Sequence, residues 1–468
     1  MLGWAAMAGA AAAQPPEPQV KADTDAGGST FGSADDAAKA PPQGLSKPRR
    51  HGRVDQSPSS QTADTQNRPP PGLFGDWRGI RTWLGDRGVD VTARYGSESG
   101  YNVAGGDRKV WRETGQFDVS AKVDLEKAIG LNGGAFQTVL TYRRGYNLDN
   151  SAGLPVLQQV QEVYGRGQTL RLTQFWYEQS LADGLFDIKL GRTSPGEDFA
   201  AFSCHFMNLS FCGAQPGNLI GDLWQNWPIG QWGARLRVEH GDVYGQIGVY
   251  EINPRNLNKT FTIGHFGGAT GVLVPVEIGM VSATRGRGLV GSYKIGAWYS
   301  NVKADDVWLD INHNPRLVTG LEPLQRNARY GLWVNLQRQL TGEAKDGKST
   351  KGLTVFLNIT QADRRTAVTD NQIAIGLFHK GLLPRVPGDV IGFAVARTNV
   401  NGKVARAELL AAPGQEPQDA EYASELYYAV HPYQWLELRP NFQYIVNPGG
   451  YHHMHDVGVL GMKAAITL

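Results

Sequence analysis

Residues 117–125 read FDVSAKVDL, residues 232–239 WGARLRVE and residues 353–360 LTVFLNIT. In the first, Phe117, Val119, Ala121, Val123 and Leu125 alternate with Asp118, Ser120, Lys122 and Asp124. Trp232, Ala234, Leu236 and Val238 do the same against Gly233, Arg235, Arg237 and Glu239, as do Leu353, Val355, Leu357 and Ile359 against Thr354, Phe356, Asn358 and Thr360. Successive side chains of an extended strand point to opposite faces, so each segment has one apolar and one polar face. The pattern runs from about residue 90 to Leu468 with no helical domain between. Over that length it predicts an all-β fold, a closed antiparallel transmembrane barrel with lipid outside and water inside.

Sixteen segments fit the pattern: 90–102, 112–125, 134–144, 170–181, 185–192, 231–240, 243–251, 271–283, 289–301, 329–340, 352–362, 372–379, 389–400, 420–430, 435–447 and 456–468. Their connections sort by parity. Even-numbered ones are mostly short (Ala182–Gly184, Gly241–Asp242, Thr284–Gly288, His431–Gln434), and odd-numbered ones are longer (Gly145–Thr169, Thr193–Gly230, Ile252–Thr270, Val302–Ala328, Asn401–Asp419). Outer-membrane barrels pair short periplasmic turns with long external loops on an even strand count, whereas a soluble β protein has no reason to sort its loops.

Composition agrees with this class. No window approaches the roughly 18–20 uninterrupted apolar residues of a membrane helix. The mean hydropathy of −0.35 is no objection, because half of each barrel strand faces a polar lumen. A net charge of +2 gives no footprint for nucleic acid. Residues 1–13, MLGWAAMAGAAAA, resemble the later half of a secretory signal. Residues 14–72 are rich in Pro, Ala, Gly, Ser, Gln and Asp and are expected to be disordered. A short amphipathic helix is expected within 73–89, with Asp76 as N-cap, Trp77, Ile80 and Leu84 on one face and Gly88 as stop; the barrel occupies 90–468. The two cysteines, Cys204 and Cys212, sit eight residues apart in a long connection and suit a small disulfide ring in an oxidising compartment; reduced thiols and metal ligands are the alternatives.

LFGDWRGIRTWLGDRGVDV (73–91), GGAFQTVLTYRRG (133–145), FWYEQSLADGLFDIKLGR (175–192), HKGLLPRVPGDVIGFAVA (379–396) and LRPNFQYIVNPGG (438–450) together resemble the carbohydrate-selective porins of the OprB type. The resemblance implies a sixteen-stranded outer-membrane channel admitting glucose and related small sugars by diffusion.

A sugar needs aromatic rings for its apolar face and paired donors and acceptors for its hydroxyls. Strand parity directs Arg143, Gln174, Trp176, Glu178, Arg235, Arg237, Glu239, Lys294, Trp298, Trp333, Asn335, Glu425, Glu437 and Arg439 into the lumen; Arg144 and Arg192, at upper strand ends, are expected to lean inward. The constriction is expected in Thr193–Gly230, the longest connection, which carries Glu197, Asp198, His205, Asn208, Asp222, Trp224, Asn226 and Trp227 and the candidate Cys204–Cys212 ring. Such a loop folded inward narrows a wide barrel to sugar size.

No catalytic residue is assigned, since no G-x-S-x-G elbow appears. The histidines of Tyr451–Asp456 are read as an external loop, so no metal or other cofactor is expected. The expected partners are small neutral sugars, outer-membrane lipid and the barrel-assembly machinery, in a monomer or a homotrimer. Transport is expected to be passive and saturable. The competing reading is an outer-membrane barrel enzyme or adhesin acting at the external rim.

Overall fold

The structure, a computed structural model, describes residues 72–202, 204–261, 265–282, 288–345 and 347–468. The expected signal segment 1–13, and the expected disordered extension as far as residue 71, lie outside the described residues.

Alternation of period two produces sixteen wall strands: β1 Val89–Ala104, β2 Trp111–Asp124, β3 Gly134–Gly145, β4 Leu170–Leu181, β5 Phe186–Thr193, β6 Gln231–His240, β7 Val243–Ile252 and β8 Gly271–Ser282, then β9 Gly291–Ser300, β10 Arg329–Gln339, β11 Lys348–Ala362, β12 Thr369–Lys380, β13 Val390–Val400, β14 Ala420–Tyr433, β15 Leu436–Val446 and β16 Val457–Thr467. Each pairs antiparallel with its sequence neighbours, and β16 closes on β1 with Glu98 opposite Lys463. Closure leaves no free edge, so every wall strand is hydrogen-bonded on both sides.

The faces are sorted as lipid demands. Leu236, Ile247, Ile278, Ile295 and Ile375 are exposed on the outside, while Gln137, Asn358, Thr360 and Gln372 are buried inside. A soluble protein hides its isoleucines; this one displays them in a band. Trp111, Tyr101, Tyr142 and Tyr146 are exposed at the end carrying the long connections, where an aromatic girdle meets headgroups.

The helix before β1 is shorter than expected. It spans Ile80–Asp86 after a 3-10 turn at Trp77–Gly79, and Gly79 occupies the N-cap. Asp76 still serves the first turn, accepting from the Thr82 backbone N–H at 2.9 Å and its hydroxyl at 2.8 Å. Ile80 is exposed, so the expected apolar face is not buried as a unit. Gly88 ends the helix at φ +80°, and a Cβ there would meet the Asp124 carbonyl oxygen at 2.7 Å.

Inside the wall, two tryptophans lie flat over glycines of the opposing strand. Trp298 faces Gly331 and Trp333 faces Gly296 in register, and a Cβ on either glycine would stand 2.1 Å from the indole. Gly296→Val is expected to displace Trp333 and destabilise the barrel by about 1–3 kcal/mol. Gly245→Val, with nothing within 4 Å of its Cβ, is the neutral control. Chemical unfolding in detergent measures both; equal stability of the two variants would refute the packing role.

Candidate functional site

Two long connections fold into the lumen. In 194–230, Phe199, Phe206, Met207, Asn208, Leu209, Phe211, Trp224, Gln225 and Asn226 are all buried. In 146–169, Leu148, Val160, Gln161, Glu162 and Val163 are buried as well. Backbone groups inside a barrel need partners as surface loops do not, and wall side chains supply many of them.

The Gln174 amide of β4 donates to Glu197 at 3.3 Å. Asp198 meets Lys189 of β5 and Arg235 of β6, each at 2.7 Å, and its carbonyl accepts from Gln246 of β7 at 2.6 Å. The Ala200 N–H donates to Glu277 of β8 at 2.8 Å, and Lys294 of β9 donates to the Ala201 carbonyl at 2.7 Å. Phe202 packs on Phe356 of β11 at 4.9 Å, and the His205 ring on Phe378 of β12 at 4.7 Å. The Met207 and Asn208 N–H groups donate to Glu425 of β14 at 2.8 and 2.7 Å. The Asn208 amide reaches Gln443 of β15 at 2.9 Å, and Lys463 of β16 donates to the Phe206 carbonyl at 3.2 Å. Within 197–208, the described residues 197–202 and 204–208 therefore follow the inner wall from β4 to β16 as a collar. Cys204 and Cys212 are joined in a disulfide that ties the collar to the segment after it.

The second inserted loop is clasped to the first. The Glu162 N–H donates to the Met207 carbonyl at 3.0 Å and the Leu209 N–H to the Gln159 carbonyl at 2.9 Å. Arg166 donates to the Gly221 carbonyl at 3.0 Å. Arg143, inward on β3, donates to Gln116 at 2.6 Å and to the Gly165 carbonyl at 2.9 Å. Trp227 donates to the same Gln116 oxygen at 3.3 Å. Wall and both loops meet at Arg143.

The charges come as closed sets. Arg235 touches Glu178 at 2.8 Å and also Asp187 and Asp198; Lys189 adds a second cation and lies 4.6 Å over the Trp176 ring. Lys463 stands 3.0 Å from Glu98 and 2.8 Å from Glu162. Arg439 holds Glu437 at 2.5 Å and the His205 carbonyl, and Arg237 holds Glu239 at 2.8 Å. Burial alone pushes the Asp198 carboxyl up, but Lys189 and Arg235 outweigh it and hold the group below the usual carboxylate range. Burial, followed by the charges of Arg439 and Lys380, pushes the His205 imidazole down to about 3, so it stays neutral at physiological pH.

Several expectations need correction. Arg144 points outward beside Tyr142, because it is one residue from inward Arg143; its guanidinium bonds the Tyr95 hydroxyl at 2.9 Å. Arg192 pairs in register with outward Phe175 and Trp232, and does not line the lumen. It is buried under the connection after β7, against Asn256 Oδ1 at 3.3 Å. Trp176, Trp298 and Trp333 do face inward but are only 2%, 3% and 0% exposed, so they offer no open platform for a sugar ring. Trp224, in the segment after the collar, packs edge-on against Trp333 at 5.4 Å, and Trp298 stacks on Trp333 at 6.0 Å. The trio fastens the loop. Asp222 is at the outer margin, paired with Arg329 and largely exposed.

Sequence reasoning missed the loop 146–169 as a lumen element, along with Glu98, Glu162, Arg166, Glu277 and Lys463. Glu277 and Lys463 had a readable signal: each is an isolated charge at an inward position of an otherwise apolar strand, VPVEIGM and VLGMKAA. Among the described residues, the one group of His, Cys, Asp and Glu close enough to share a metal is Glu162, Cys204 and Cys212. Its two sulfurs are already bonded to each other.

The family model for the carbohydrate-selective porins of the OprB family matches residues 108–468. Porin B of Pseudomonas aeruginosa is 41% identical over 410 residues, covering 84% of this chain and 90% of that protein. The putative porin QuiX of Acinetobacter baylyi is 32% identical over 423 residues, covering 84% of this chain and 92% of that protein. The high-pH structure of Pseudomonas putida OprB superposes with a TM-score of 0.81 at 39% identity, over 86% of this chain and 99% of the other.

Proposed function

This chain belongs to the carbohydrate-selective porins of the OprB family and forms a sugar channel in the bacterial outer membrane; from that premise we propose that the collar 197–208, with the clasped loop 146–169, forms the waist where sugars are selected. The observation that carries the reading is the collar's course along the wall from β4 to β16, with polar contacts on nine of those thirteen strands and aromatic contacts on two more. The substrates are glucose and related small sugars, moving down their gradient with no covalent step. A weak site at the waist speeds flux at low concentration and saturates at high concentration, while a tight one would trap the solute.

With the tryptophans covered, recognition falls to guanidinium, amide and carboxylate groups, whose charge-assisted hydrogen bonds suit hydroxyls. Arg143, 1% exposed, is covered as the tryptophans are, and its part is to hold the wall and both loops together at the waist. Arg143→Ala is expected to loosen that junction and raise the half-saturating glucose concentration about tenfold. Concentration-dependent uptake into vesicles measures it, and unchanged half-saturation in the folded variant removes Arg143 from the site. The waist is complete within one chain, so the reading holds for a monomer and a homotrimer alike. The apolar outer band faces lipid and suits insertion by the barrel-assembly machinery.

A further inference from the structure

We propose that the wall carboxylates Glu277 and Glu425 are positioning residues that set the channel's size limit by fixing the collar at its two ends. The inference rests on the collar being the waist. Neither residue needs to touch solute. Glu277 accepts from four donors: the Ala200 N–H at 2.8 Å, the Tyr244 hydroxyl at 2.8 Å, the Gln246 amide at 2.9 Å and the Trp333 indole at 3.0 Å. Two of these side chains, Tyr244 and Trp333, lie flat over wall glycines and are thereby fixed in place, so the carboxylate is held rigidly before the loop arrives.

What it holds is a strained turn. Ala200 has φ +50°, a left-handed conformation that a residue with a Cβ adopts only when its surroundings impose it. The N–H of this same residue is the group that Glu277 holds. At the other end both oxygens of Glu425 take the Met207 N–H, at 2.8 and 3.0 Å, and one also takes the Asn208 N–H at 2.7 Å. Between the anchors the wall again grips backbone: Lys294 donates to the Ala201 carbonyl, and Arg439 to the His205 carbonyl. The wall thus reads the collar's main chain, which fixes where it runs whatever its side chains do.

A glutamine in place of either carboxylate keeps the volume but removes the charge that strengthens these bonds, and at 425 it also turns one acceptor into an NH2 donor facing an N–H. The bond that holds the turn is weakened, and the collar drifts from the wall. Glu277→Gln and Glu425→Gln are each expected to change the swelling-rate ratio of disaccharide to glucose by at least threefold in proteoliposomes. Barrel assembly, read from heat-modifiable gel mobility, stays at the wild-type level. Loss of a merely structural contact would shift stability and leave that ratio alone.

Should a wall substitution block assembly, Asn208→Pro removes the backbone donor to Glu425 from the loop side, together with the side-chain bonds to Gln443 and the Ser210 N–H, at a φ of −72° that proline accepts. The same change in ratio is expected of it. A ratio equal to wild type in the assembled variants overturns the positioning role. A wild-type channel that does not distinguish glucose from a disaccharide overturns instead the reading of the collar as the waist.

Discussion

Replacing residues 199–226 by a short glycine–serine bridge is expected to raise single-channel conductance several-fold and to let disaccharides enter about as fast as glucose. Barrels of 16–18 strands enclose an aqueous channel unless something fills it, and here the filling is the collar and the segment that follows it. The wall ladder closes through the strands alone. Thr193 and Gln231 are register partners at the ends of β5 and β6, so a short bridge joins them without stretching the ladder. The groups uncovered by the excision, Glu277, Trp333, Glu425 and Lys463 among them, face the lumen and would be rehydrated. Planar-bilayer recordings and liposome swelling report the change. Conductance equal to wild type from an assembled barrel would mean that the flow path lies elsewhere.

The second large effect is on stability. Lys463 is buried between Glu98 and Glu162, with side chains of all three at most 1% exposed. Lys463→Met fills similar volume but leaves two carboxylates without their cation in a site closed to water. Breaking a buried ion pair by removing one partner typically costs about 3–5 kcal/mol. That loss is expected in urea unfolding of the detergent-solubilised barrel, with the loops clasped near Glu162 loosening first. Adding Glu98→Gln to the same protein is expected to recover part of the loss, since one uncompensated charge then disappears. A cost below about 1 kcal/mol for Lys463→Met would place these groups in contact with water.

The fold was legible because its signal is local. A period of two, repeated through sixteen segments, states which side chains face lipid, and the sorting of loop lengths states which end is which. The same rule placed Arg143, Glu178, Arg235, Glu425 and Arg439 inside. It failed at strand ends. Arg144 was allowed to lean inward against its own parity, and Arg192 against that of its register partners Phe175 and Trp232.

What parity cannot see is what covers an inward residue. Trp298 and Trp333 looked like rings open to a sugar, but Trp224, from a loop far away in sequence, closes over them. The loop 146–169 carried no pattern of its own. Its inward fold is decided by distant acceptors: Glu421 takes the Leu157 N–H at 2.6 Å, and Glu98 takes that of Val163 at 3.1 Å. The disulfide ring was readable from spacing and compartment, whereas the collar's course from strand to strand was not.

Selectivity for small sugars is the property on which everything assigned to the waist rests. Purified protein reconstituted into liposomes, and swollen in glucose, a disaccharide and a neutral amino acid of similar size to glucose, measures it directly. Glucose entry that is faster than the other two and saturates with concentration is the predicted result. Equal rates for all three, or no swelling with any solute from protein shown to be folded, would contradict it.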